Sequence, residues 1–119
     1  GGNTRRLLEP LLAKHRVRLY LNGHMHLVEV YRSLHSEKMG YTGFTAGAFC
    51  DLYTTREPAA WPPQILYSNS MPSFLTHTLK GDVLTTNVVG IHDEVLMAVD
   101  IRRELKPDGS HRTVRILSN

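Results

Sequence analysis

A helical stretch, a short alternating strand and a glycine-led pair of histidines follow one another within residues 5–26, and this succession constrains the fold more than any other feature. Residues 5–15 set Leu7, Leu8, Leu11 and Leu12 on one face at i, i+1, i+4 and i+5, with Arg5, Arg6, Glu9 and Lys14 elsewhere. Thr4 is expected to serve as N-cap. Pro10 removes one helical hydrogen bond, so a kink, or a regular helix starting near it, is expected. From Val17 to Leu21 the residues alternate, with Val17, Leu19 and Leu21 on one side and Arg18 and Tyr20 on the other. Gly23-His24-Met25-His26 then closes the strand, and the glycine is expected to let the backbone turn sharply. Helix, link and strand make an α/β pattern, and ligands of open α/β sheets bind at the carboxyl ends of strands, where these histidines lie.

Downstream, Leu27–Leu34 reads as a second strand, with Leu27, Glu29 and Tyr31 facing away from Val28, Val30 and Arg32. Gly40–Phe49 reads as a third, its glycines suiting a bulge or a close backbone approach. Residues 51–73 hold Pro58, Pro62, Pro63 and Pro72 around Trp61 and are expected to form a long irregular connection. Phe74–Asn87 is ambiguous. Glu94–Ile101 and Thr113–Leu117 read as a closing hairpin across the turn Lys106-Pro107-Asp108-Gly109. With no internal repeat, residues 1–119 are read as a single segment.

Composition excludes several classes. The 14 basic and 11 acidic residues are scattered, and only Arg5-Arg6 and Arg102-Arg103 are basic doublets, so the +3 charge does not point to nucleic acid. A single cysteine, Cys50, permits no internal disulfide and reads as a small buried apolar residue. No apolar run reaches the ~20 residues that span a bilayer. Residues 1–4 lack the apolar core of a secretory signal.

Two imidazoles two residues apart at a strand end can reach one metal centre. Seven histidines in 119 residues produce an H-x-H by chance roughly a third of the time, whereas G-H-x-H arises in roughly one shuffled chain in thirty. A cupin-type barrel also uses H-x-H. Here, however, Glu29 follows His26 too closely for that pattern, Arg18 stands where it has glycine, and the approach to the strand is helical.

From Leu8 to about Phe49 the chain resembles the C-terminal part of a calcineurin-like metallophosphoesterase, nearest to the purple acid phosphatases of the tartrate-resistant type. The resemblance is carried by Glu9-Pro10-Leu11-Leu12-Ala13, Val17 to Leu21, Gly23-His24-Met25-His26, Gly40-Tyr41 and Ala46-Gly47-Ala48-Phe49. It implies the C-terminal portion of an α/β metallophosphoesterase-type β-sandwich flanked by helices, with mostly antiparallel strands after the metal loop. It further implies that His24 ligates the divalent metal and His26 the ferric one. Two transition metals ~3.5–4 Å apart would lower the pKa of a shared water and clamp a phosphate ester. Imidazole suits iron, zinc or manganese and does not choose among them.

The family's aspartate and asparagine motifs lie upstream of G-H-x-H, yet this chain has no aspartate before Asp51, and Gly2-Asn3 is followed by Thr4. The chain is therefore expected to be the C-terminal segment of a longer phosphoesterase. It would hold no catalytic residue beyond the two ligands, be inert alone, and depend on an N-terminal portion of the same protein. A non-catalytic accessory or interaction module that keeps the fold is the alternative. The resemblance leaves the compartment open between secreted or lysosomal and cytoplasmic.

Other polar residues receive structural readings. His15 sits favourably at a helix end, and His35, His77 and His111 are read as solvated in loops. His92-Asp93-Glu94 is adjacent on a turn and converges poorly on one ion. Ser68 and Ser70 lack a nucleophile-elbow context. Tyr53, Trp61 and Tyr67 are expected to cover or fill a core rather than line a groove.

Overall fold

Alternation of apolar and polar residues builds two sheets that share one core. The computed structural model describes residues 2–33, 40–48, 52, 58–103 and 110–117. Helix α1 (Gly2–Lys14) leads into β1 (Leu19–Asn22), β2 (Val28–Arg32), β3 (Thr42–Ala46), a 3-10 turn at Pro58–Ala60, β4 (Ile65–Asn69), β5 (Ser73–Lys80), β6 (Val83–Gly90), β7 (Val95–Arg103) and β8 (Ser110–Ile116). The first sheet has the order β1-β3-β2-β4 and the second the order β5-β6-β7-β8. Among the described residues only β1 with β3 is parallel, and every other pairing is antiparallel. The result is a mixed α/β fold with one α-helix among the described residues.

Val28, Val30 and Phe44 point from the first sheet toward Val88, Met97, Val99 and Ile101 of the second, and together they form the core. Period-two alternation then sends Glu29, Tyr31, Gly43 and Thr45 to the opposite face. Strand β7 is buried from Leu96 through Val99, as expected of an interior strand covered on both faces. Two polar side chains also tie the sheets together. Arg112 Nε on β8 donates to Thr42 Oγ1 on β3 at 2.8 Å, and the ring of His77 on β5 meets Phe44 edge-on at 6.0 Å.

Helix α1 crosses the outer face of the first sheet, making few close backbone approaches to any strand. Its anchor is polar: Glu9 accepts hydrogen bonds from Ser33 Oγ at 2.6 Å and from Tyr41 OH at 2.8 Å. Leu8 and Leu12 turn toward the sheet, whereas Leu7 and Leu11 remain 73% and 51% exposed. The expected four-leucine face is thus split, because Glu9 rather than a leucine sets which side docks. Pro10 is accommodated inside the helix, and Thr4 also lies within it rather than capping it, since the helix begins at Gly2.

Three expectations are corrected. Residues 51–73 are not wholly irregular, since β4 occupies Ile65–Asn69 directly after Pro62 and Pro63. Proline at the entry to a strand removes no ladder bond, and Ile65 N donates to Pro62 O to close the turn. The ambiguous stretch becomes the β5–β6 hairpin, turned at Gly81 with φ of 59°. His77 and His111 lie in strands β5 and β8, not in loops, and His77 Nδ1 is 2.7 Å from Thr86 Oγ1. The closing hairpin forms as expected, with Val99 opposite Val114, while its turn residues 106–109 fall outside the described residues.

Tyr67 is buried in the core, meets Trp61 edge-on at 6.2 Å and accepts a hydrogen bond from Asn69 Nδ2 at 2.7 Å. Burial raises its phenol pKa above the usual 10, and the Asn69 bond opposes that rise. Above the unfolded-chain pKa, therefore, the unfolded state releases this proton first and stability falls with pH. Urea titrations between about pH 8 and pH 11 should show that Tyr67→Phe is less alkali-sensitive than the wild type; an equal slope would contradict the assignment.

Candidate functional site

The G-H-x-H loop joins the carboxyl end of β1 to β2, at the border of the first sheet. His24 is exposed, with φ of 78°, and His26 is half-buried. A left-handed backbone is uncommon for a residue with a side chain and accompanies functional loops more often than regular structure. The strain therefore sits on His24 itself. Gly23 was the expected swivel, yet it has no positive φ and a Cβ there would meet only Ala46 O at an ordinary 3.7 Å.

The glycine this loop requires is Gly47. A Cβ at Gly47 would overlap the carbonyl oxygen of Met25, between the two histidines. Gly47 N donates to Leu27 O at 3.0 Å, and Leu27 N donates to Met25 O at 2.8 Å. Buried Leu27 and Ala48 pin the two ends of this contact. The segment after β3 thus holds the histidine loop by backbone packing, with Met25 half-exposed at its tip.

The structure brings His24 and His26 onto one short loop, as their spacing requires. Among the described residues no group of three or more His, Cys, Asp or Glu is placed to hold a metal ion. The His92-Asp93-Glu94 turn is spoken for locally: Glu94 Oε2 accepts from His92 N at 2.8 Å, and the Glu94 carboxylate fills the space beside Gly90. His15 is exposed at the helix end, Ser68 lies in β4 and Ser70 follows that strand. Trp61 packs against the core beside Tyr67, in keeping with a covering role. His35, Cys50, Asp51 and Tyr53 fall outside the described residues.

A second concavity was missed by reading residues in order. Between α1 and the outer face of the first sheet lies a pocket of about 360 Å³, walled chiefly by Glu9, Tyr20, Asn22, Glu29, Tyr31 and Tyr41. The only signal in the sequence was the polar half of each alternation, Tyr20 and Asn22 in β1 and Glu29 and Tyr31 in β2. Strand register turns these into two rows: Tyr20, Gly43 and Tyr31 lie side by side, as do Asn22, Thr45 and Glu29.

Chemically, the histidine loop offers two nitrogen donors suited to a first-row transition metal, but it does not by itself complete a metal centre. Comparisons with protein-family models, curated proteins and solved structures found no match for this chain.

Adding a methyl group at Gly47 should push Met25 and its flanking histidines out of place. Gly47→Ala is expected to cost about 1–3 kcal/mol in denaturant unfolding and to move the backbone resonances of Met25 and His26. Unchanged stability and spectra would show that the loop is not held this way.

Proposed function

We propose that the chain is the C-terminal segment of a dinuclear-metal phosphoesterase of the acid-phosphatase kind, in which His24 and His26 each give an imidazole to one metal. The observation that carries this reading is the location of both histidines on one short, packed loop at the carboxyl end of β1. The donor set fits half of such a centre. Two imidazoles supply one ligand per metal, and the carboxylates and remaining ligands would come from an N-terminal portion of the same protein. When bound, the metal pair supplies charge neutralisation to a phosphate ester and acidifies the attacking water.

This chain's own residues position. Gly47 and Leu27 fix the backbone of the loop that carries both histidines, and His24 takes a left-handed turn within it. Solvent reaches His24, so a phosphate ester could approach it from outside the sandwich. Iron, zinc and manganese all suit such ligands.

The full-length protein separates this reading from a non-catalytic module. Wild type should retain close to two metals per chain and hydrolyse p-nitrophenyl phosphate. His24→Ala and His26→Ala should each lose about one metal and reduce turnover by about a hundredfold or more, since even an outer partner of a metal ligand is worth 10–100-fold. Unaltered metal content in both variants would overturn the ligand assignment, and a wild type with neither metal nor turnover would favour the module.

A further inference from the structure

The pocket beneath α1 carries a chemistry that the phosphoesterase reading does not use. Its walls hold two carboxyl side chains, Glu9 and Glu29, and three tyrosines, Tyr20, Tyr31 and Tyr41, and among the described residues no lysine, arginine or histidine lines it. The rings are set at angles to one another. Tyr20 and Tyr41 are tilted by 50° with centroids 5.7 Å apart, and Tyr31 meets Tyr41 at 88° and 6.1 Å. Three mutually inclined aromatic rings with carboxylates beside them form a negative enclosure, because the ring quadrupole is negative over its faces.

The enclosure is built before any ligand arrives. Tyr31, Tyr41, Glu9 and Thr45 are all buried. Asn22 Nδ2 donates to Tyr31 OH at 2.6 Å, and Tyr41 OH donates to Glu9 at 2.8 Å, so hydrogen bonds fix the phenol tips. Gly43 makes room in the floor: the Tyr31 ring lies over it, in the space that a Cβ would need. In a site of this kind little side-chain freedom remains to be lost on binding.

Size and lining choose among cations. A bare metal ion is a poor match, since the described residues hold no cluster of three metal-ligating side chains and Glu9 already accepts hydrogen bonds from Ser33 and Tyr41. The pocket's 360 Å³ lies at the small-molecule end of the usual ~300–1,000 Å³ range, and Leu8, Leu12 and Ile65 add apolar wall. A bulky, weakly hydrated cation suits the rings, the acidic wall and the leucines together. We propose that this pocket binds a small organic cation of the alkylated ammonium class, with the ammonium against Tyr20, Tyr31 and Tyr41 and beside Glu29. This does not depend on the metal loop.

Choline chloride, and its neutral carbon isostere 3,3-dimethylbutan-1-ol, are the probes, titrated at constant ionic strength into the folded protein and followed by backbone amide NMR. Choline should give saturable shifts centred on residues 20, 29, 31 and 41, with a Kd in about the millimolar range or tighter. The isostere should bind about tenfold more weakly or not at all, as the charge–ring attraction is worth roughly 0.5–2 kcal/mol. Glu29→Gln, which keeps the side-chain shape, should weaken choline about tenfold, and His24→Ala should leave it unchanged. Equal binding of isostere and choline, no saturable shift at the pocket, or wild-type choline affinity in Glu29→Gln would each overturn the proposal. The choline–isostere comparison needs no variant and decides the matter even if Glu29→Gln does not fold.

Discussion

Strand β3 is where the molecule's two halves depend on one another. Phe44, fully buried at its centre, is inserted between Val28 and Val30 of its own sheet and Val88, Met97 and Val99 of the other. Burying a side chain of that size contributes on the order of 1.5–3 kcal/mol before cavity terms. The same strand accepts β1 in parallel on one side and β2 antiparallel on the other. With Phe44 fixed inward, Gly43 and Thr45 have to point outward, and Gly47, just past the strand, meets the histidine loop. Both candidate sites are consequences of that one register.

The two sites differ in how they are made. The histidine loop is local in sequence, a few residues clamped by one backbone contact from Gly47. The pocket is assembled from a helix and four strands, and it exists because a glutamate rather than a leucine anchors α1. An apolar helix face docked in full would close onto the sheet. Held by Glu9, the helix leaves space above Tyr20, Gly43 and Tyr31.

Local features were legible and register-dependent ones were not. Strands β2, β7 and β8 are legible from apolar residues at alternate positions, such as Val28 and Val30, Met97 and Val99, and Val114 and Ile116, and β3 from Tyr, Thr and Phe set among glycines. The β5–β6 hairpin is ambiguous in sequence because Thr76, Thr78, Thr85 and Thr86 blur the contrast between faces. Strand β4 was hidden by the two prolines that introduce it. In sequence Gly23 reads as the conformational pivot, yet the left-handed residue is His24 and the required glycine lies more than 20 residues later. Nothing in the order of residues announces that Tyr20 and Tyr31 flank the same glycine; only the parallel pairing of β1 with β3 brings them there.

The central claim is that the loop between β1 and β2 presents two imidazoles together to metal. Manganese(II), titrated at substoichiometric levels while the imidazole carbon-bound protons are watched by NMR, tests this directly, because paramagnetic broadening falls off steeply with distance. The account predicts that the His24 and His26 signals broaden first and together, with those of His77 and His92 following only at higher metal. Broadening spread evenly over all four rings, or confined to rings outside this loop, would contradict it.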